Sequence, residues 1–352
     1  MENEKLYKDL ADHLSKHVVR TPASPSGIKI LEILFPEYEA QLALLLPFEN
    51  KTLDELKAMI PHMADILKET LNRMIKRGTV FVITDNEKVT RYSLLPSVVG
   101  WSETPYWSGK ETEEARKMAP LWLKYKEEAF GKELARNIPA VRVLPIEQSL
   151  KNNSEVLPFD VLKPLIDNTT FQAVAHCPCR LMKRYSGQGC SHSTENCLHF
   201  GDFARYMVEQ GMAREISKEE AIKIVHAADE EGLVHVTNNL EGHLDTICSC
   251  CGCCCVFLTT KRETGLRTVS SSNYVSRVDR DECTSCGTCE GRCPMAAIKL
   301  DEGDISTVDE NLCIGCGVCV STCPSGAIGL VLREQIIPLP DPGELLMKRL
   351  SD

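Results

Sequence analysis

Cys283-Thr-Ser-Cys286-Gly-Thr-Cys289-Glu-Gly-Arg-Cys293-Pro294 returns further along as Cys313-Ile-Gly-Cys316-Gly-Val-Cys319-Val-Ser-Thr-Cys323-Pro324. Both copies read C-x₂-C-x₂-C-x₃-C-P, and both go on to Ala-Ile, at 297–298 and 327–328. Three thiolates two residues apart can wrap one iron–sulfur cubane from a single tight loop. The fourth lies out of reach of that cubane and ligates the cluster of the other copy. The spacing therefore assigns Cys283, Cys286, Cys289 and Cys323 to one 4Fe–4S cluster, and Cys313, Cys316, Cys319 and Cys293 to another. Gly287 and Gly317 stand where a ligand loop brings backbone amides close to sulfide. Pro294 and Pro324 end each loop and fix its exit. Zinc also accepts four thiolates. Zinc ribbons, however, space their Cys pairs more widely and do not repeat the third and fourth Cys with a following Pro.

On these residues the stretch from about 275 to 332 resembles the two-cluster bacterial ferredoxins. The resemblance implies a small α+β fold with pseudo-twofold symmetry, two 4Fe–4S clusters and one-electron transfer.

The chain has 352 residues, enough for two or three domains, with 43% hydrophobic and 26% charged residues as in ordinary globular protein. It opens Met-Glu-Asn-Glu-Lys-Leu-Tyr-Lys, without an apolar leader, and apolar runs such as Leu42–Phe48 are too short to span a bilayer. A cytoplasmic location without a membrane span is expected. There, Cys in C-x-C and C-x₂-C spacing read as metal ligands rather than disulfides. The net charge of −10 argues against nucleic acid as a partner. From Ser271 onward, thirteen Asp and Glu face seven Lys and Arg. Such an acidic surface suits a basic protein partner, expected to be a flavoprotein or another oxidoreductase subunit. Oligomeric state is left open.

Residues 2–20 read as an amphipathic helix, broken by Thr21-Pro-Ala-Ser-Pro-Ser-Gly27. From 28 to 99 the pattern is that of a winged helix. Glu39–Leu46 is one helix, and Thr52-Leu-Asp-Glu55 is a capping box opening a second. A third runs from His62 to Arg77 and stops at Gly78. A hairpin follows, from Val80-Phe-Val-Ile and Lys88–Leu95. Residues 102–115 look like a linker, and 112–130 like a helix. A region spaced by Pro139, Pro145, Pro158 and Pro164 is expected to run over the surface of the next domain. Phe171–Ala175 and Leu233–Val236 read as strands, Asn196–Gln210 and Ser217–Glu231 as helices. No nucleotide-binding glycine motif is present.

Ten cysteines lie outside the repeat. Cys177, Cys179, Cys190 and Cys197 form C-x-C-x₁₀-C-x₆-C, with Arg180, Lys183 and Arg184 nearby to favour thiolates. They suit a third 4Fe–4S cluster, with a zinc site or a redox-active thiol pair as alternatives. His176, His192 and His199 are spare donors. The second group is Cys248-Ser-Cys-Cys-Gly-Cys-Cys-Cys255. A helix beginning near Gly252 would stack Cys251 and Cys255 at i, i+4. Cys248, Cys250, Cys251 and Cys254 or Cys255 are candidate iron–sulfur ligands. Three arrangements stay open: a fourth cubane, a less regular cluster sharing ligands with the 177–197 group, or a dithiol/disulfide centre. Cys250-Cys251-Gly252 is similar to the cysteine-rich repeats of heterodisulfide-reductase-type subunits, which hold non-cubane clusters. The long spacer and ordered further Cys of those repeats are not found here.

The expected fold class is α+β and multidomain. A winged-helix-like domain with its N-terminal helix occupies 1–100, and a linker and helix 101–170. A Cys-rich α/β domain occupies 171–270, the two-cluster ferredoxin domain 271–332, and a tail 333–352. The expected function is single-electron transfer through several 4Fe–4S clusters, two in the repeat and one or two more, to or from a partner oxidoreductase in anaerobic metabolism. This describes an electron-transfer subunit more than a catalyst in its own right. Two alternatives are a redox-sensing transcription regulator using the winged helix, and a reductase with a catalytic cluster or dithiol at Cys248–Cys255.

Overall fold

The computed structural model describes residues 2–150, 161–241, 244–333, 337–339 and 341–351. Pro158 and Pro340 lie outside the described residues. Helices and strands are mixed throughout. Among the described residues no helix is long and apolar enough to cross a membrane.

The capping box at Thr52 forms. Glu55 N donates to Thr52 Oγ1 at 3.3 Å and Thr52 N to Glu55 Oε2 at 2.7 Å, opening the helix Leu53–Met59. The helix Ala64–Arg77 follows a short 3₁₀ turn, Pro61–Met63. It buries Leu67, Leu71, Met74 and Ile75, and ends at Gly78 with φ +74°. Strands Val80–Thr84 and Thr90–Leu94 form the hairpin, and Lys51–Thr52 pairs along the other edge of Thr90–Leu94. The first helix is shorter than expected, Glu2–Leu14, and that of 39–46 is Glu37–Ala43. The stretch read as a break starts another helix, Pro25–Leu34. Ser24 Oγ accepts from Gly27 N at 3.0 Å, and Pro25 takes the first helical position, where a missing N–H is harmless.

Residues 102–115 are not a loose connection. Thr104–Trp107 is a short helix, and Trp101, Tyr106 and Trp107 are fully buried. The Tyr106 hydroxyl donates to Ala115 O at 3.1 Å, and Trp107 packs edge-on against His199 and Phe203. Large aromatic surfaces remove these residues from water. Helix Glu113–Tyr125 then lies between helices Pro25–Leu34 and Pro178–Tyr185, joining the N-terminal half to the middle of the chain.

The middle is a six-stranded sheet in the order Val141–Leu144, Val234–Asn238, Thr246–Cys250, Glu195–Phe200, Gln172–His176, Arg214–Glu215. Every neighbouring pair is antiparallel, so this region is α+β rather than α/β. Three expectations change here. Val141–Leu144 is an edge strand of the sheet, not a surface connection. The stretch 196–210 splits into strand Glu195–Phe200 and helix Gly201–Glu209. That strand is buried on both faces, with the polar Asn196 and His199 inside, so no polar–apolar alternation separates strand from helix. The helix expected near Gly252 is instead strand Thr246–Cys250, a turn, and helix Val256–Thr264.

In the C-terminal part, Tyr274–Val278 pairs with Ile328–Leu332 and Ile298–Leu300 with Ser306–Val308, with short helices Thr288–Arg292 and Val318–Ser321. The symmetry reaches individual bonds. Asp279 N donates to Ala327 O at 2.7 Å and Asp309 N to Ala297 O at 2.8 Å. This part sits tightly on the middle. A Cβ placed on Gly252 would stand 2.1 Å from Pro294 O, and Arg292 donates to Glu230 O at the end of helix Lys218–Glu230. The tail helix Pro342–Leu350 reaches back to the N-terminal half, where Arg349 is buried and donates to the carbonyls of Val18 and Ile138.

Candidate metal centres

The two copies of the repeat bring their thiols together across the pseudo-twofold axis. One small cavity is lined by Cys283, Cys286, Cys289 and Cys323. A second is lined by Cys293, Cys313, Cys316 and Cys319. The two sets differ in exposure. Cys286 is exposed and Cys283 and Cys323 are half-buried, whereas Cys313, Cys316 and Cys319 are buried. We call the first set outer and the second inner. A serine hydroxyl meets the equivalent sulfur in each: Ser306 Oγ to Cys289 Sγ at 3.0 Å, and Ser276 Oγ to Cys319 Sγ at 3.2 Å. The thiol pKa values diverge accordingly. Hydrogen bonds from Thr288 hold Cys286 below the usual thiol range. Burial pushes Cys319 up to about 12 and also raises Cys316. A bound cationic core would offset the burial that raises Cys316 and Cys319. Thiolate donors in this cross-paired arrangement fit two iron–sulfur cubanes.

Gly315 and Ser285 show how burial shapes the two loops. Both have positive φ, +66° and +57°. At Gly315 a Cβ would lie 2.1 Å from Tyr274 O, so the inner loop has no room for a side chain. At the exposed outer loop Ser285 is accommodated.

The ten other thiols divide by space, not by sequence. Cys190 leaves its sequence neighbours and joins Cys251, Cys253 and Cys254, all four sulfurs lying within 4.8 Å of one another. Cys253 was not among the expected ligands. The remaining six, Cys177, Cys179, Cys197, Cys248, Cys250 and Cys255, gather on the sheet face. Cys197 and Cys248 are register partners on adjacent strands. Cys248 and Cys250 point the same way because a strand repeats every two residues. Thiol contacts link Cys197 to Cys248, Cys179 to Cys255, and Cys250 to both Cys248 and Cys255. Donation from Cys197 and Cys250 lowers the Cys248 pKa, and donation from Cys179 and Cys250 lowers that of Cys255.

Arg180 stands between the two groups. It is buried, donates to Ser249 O at 2.8 Å and to Asn196 Oδ1, and contacts the Cys251 thiol. A buried guanidinium offsets the negative charge of clustered thiolates. Of the histidines, His199 Nε2 lies 3.3 Å from Cys197 Sγ. His176 pairs with Thr194, and His192 lies beside Glu231.

The six-thiol group opens on a cavity of about 530 Å³. Val19, Phe48, Val98 and Trp122 line it from the N-terminal half, Cys177, Cys197 and Cys248 from the sheet. Glu103 is also in its wall. Its carboxylate accepts from Gly100 N at 2.9 Å, and burial, with Cys248 nearby, pushes its pKa up to about 8. Nothing in the local sequence of Glu103 marks it; only the fold brings it to the thiols.

A family model described as a 4Fe-4S dicluster domain matches residues 276–330. The protein therefore carries iron–sulfur chemistry of the ferredoxin kind and has a role in electron transfer. No curated protein and no solved structure matches the chain.

Proposed function

We propose that this protein passes single electrons between a partner docked at the exposed Cys283–Cys289 loop and a further iron–sulfur centre that the six-thiol group in the middle of the chain would hold. One observation carries this reading. Cys250 and Cys255 share a single apolar cluster with Cys313 and Cys316, packed around Val234, Val236, Leu258 and Ile314. The inner set, three of whose four thiols are buried, thus lies between the outer set, which holds the exposed Cys286, and the six-thiol group. Cubanes bound by the two copies would supply the one-electron steps. The protein's own residues hold their sulfurs, exclude water from the inner set and tune charge. Asp281, Glu282, Glu290 and Asp304 are exposed around the outer copy, a face suited to a basic partner such as a flavoprotein.

The test is anaerobic stopped-flow reduction followed by electron paramagnetic resonance. Electrons should appear first in the two copies and then reduce the iron–sulfur centre held by the six central thiols. A central group that stays unchanged while both copies reduce fully would sink the proposal.

With a cubane bound, the Ser276 hydroxyl, 3.2 Å from Cys319 Sγ, would stabilise the more negative, reduced state of the inner set. Ser276→Ala should therefore lower the inner potential, by roughly 40 mV for about 1 kcal/mol of hydrogen bond. Protein-film voltammetry would show one wave shifted and the other in place. An unshifted pair of waves would contradict the role given to Ser276.

The cavity favours a second reading, in which the six-thiol group reduces a small molecule. Turnover by the isolated protein with an artificial one-electron donor would support it, and no turnover across a panel of disulfides and carbonyl compounds would count against it. A DNA-binding role for the winged-helix-like N-terminal half is not favoured. Arg73 pairs with Glu69 and Arg77 with Glu39, leaving those basic side chains engaged with carboxylates. We place this half as a brace for the central cavity in a cytoplasmic protein of anaerobic metabolism. A retarded band in a low-salt DNA shift assay would overturn that placement.

A further inference from the structure

We infer that Cys190, Cys251, Cys253 and Cys254 hold one tetrahedral zinc ion, a structural site distinct from the iron–sulfur sets. The distances decide between a single ion and a cubane. Zinc–thiolate bonds are about 2.3 Å, so the sulfurs of a tetrahedral site stand about 3.8 Å apart. Cys254 Sγ lies 3.6 Å from Cys190 Sγ and 3.7 Å from Cys253 Sγ, and the whole quartet fits within 4.8 Å. In a cubane each thiolate caps a different iron corner, so the sulfurs sit outside the cube and farther apart. The repeat supplies the contrast within the same molecule. Among the described residues, no three donors of the two copies are drawn within the span that the quartet meets.

The surroundings suit a closed structural site. All four ligands are thiols, which leaves no open position for substrate. Cys251 and Cys254 are buried against Ala228 and Leu233, with Cys190 packed on the same cluster. Four thiolates around a divalent ion carry two net negative charges, and the Arg180 contact to Cys251 offsets part of them. The ion would tie the loop carrying Cys190 to the turn carrying Cys251–Cys254. The loop carrying Cys190 is also anchored by Ser193 N donating to Glu231 Oε2 at 2.9 Å and by Asn196 Nδ2 donating to Ser193 Oγ at 2.9 Å. The turn carrying Cys251–Cys254 includes Gly252, which packs on Pro294. Zinc here would therefore fix the platform on which Pro294, next to Cys293 of the inner set, rests, without itself transferring electrons.

The test uses the full-length protein, purified anaerobically. Metal analysis should find about one zinc per chain alongside the iron. Growth with cobalt in place of zinc should produce tetrahedral cobalt absorption with sulfur-to-cobalt charge transfer, in the wild-type protein. Cys253→Ser, at an exposed position, and Cys190→Ser should each cut zinc occupancy at least tenfold. Iron content and the reduced-state spectra of the two copies should stay unchanged. Loss of about four irons on Cys253→Ser would assign the quartet to a cubane and overturn the inference. So would an iron-loaded wild-type protein with no zinc and no cobalt signature. Absence of iron from the repeat would instead refute the electron-transfer proposal while leaving the zinc result to stand or fall alone.

Discussion

Cys316→Ala is expected to remove about four irons per chain and to leave the outer set loaded. Cys316 is buried at the centre of the inner loop, and its carbonyl accepts from Ile146 N at 2.9 Å. The side chain is small, so the packing loss alone is on the order of 1 kcal/mol. The larger effect is chemical. With one of four thiolates missing and no replacement thiolate among the neighbours Ile314, Val318 and Met295, the inner site loses the corner that closes it. Reduction should then stop at the outer set, and the centre held by the six central thiols should no longer be reduced. Iron analysis and electron paramagnetic resonance read both outcomes. Wild-type iron with both cluster signals intact would show that the ligand sets are divided differently.

Gly252→Ala should loosen the seat of the C-terminal part on the Cys-rich loop. The added methyl would begin 2.1 Å from Pro294 O, a backbone atom next to the inner ligand Cys293. Neither chain segment can yield by turning a side chain. The expected cost is about 1–3 kcal/mol, the usual range for overpacking. Iron content should be retained, with slower electron passage from the inner set to the central thiols. Gly291→Ala is the matched control. Gly291 lies in helix Thr288–Arg292 with nothing near its added Cβ, so its stability change should stay within about 0.5 kcal/mol. Equal behaviour of the two variants, in denaturation and in electron passage, would remove the contact from the account.

The repeat was the most legible part of this chain because its chemistry is local. Ligand spacing, the glycines at 287 and 317 and the closing prolines all lie within one short loop. The capping box at Thr52 and the stop at Gly78 were legible for the same reason. The central thiols were not. Cys190 stands nearer in sequence to Cys197 than to Cys251, yet strand pairing carries Cys197 to Cys248 and leaves Cys190 on the far side of Arg180. No spacing rule contains that separation, since it depends on the register of Glu195–Phe200 against Thr246–Cys250. Glu103 and the aromatic plug at Trp101–Trp107 were hidden by polar neighbours that made 102–115 look like linker. Pro25 misled differently: two prolines near a glycine suggested a break, although Ser24-Pro25 is also how a helix begins.

The central claim is that the thiols of the two copies carry iron–sulfur cubanes, one facing solvent and one facing the interior. Iron and acid-labile sulfide analysis of anaerobically purified protein, read together with its reduced-state electron paramagnetic resonance, tests it most directly. The account predicts at least eight irons, an equal count of sulfide, and two interacting one-electron signals. Protein that carries zinc at those eight cysteines and gives no signal on reduction would contradict it.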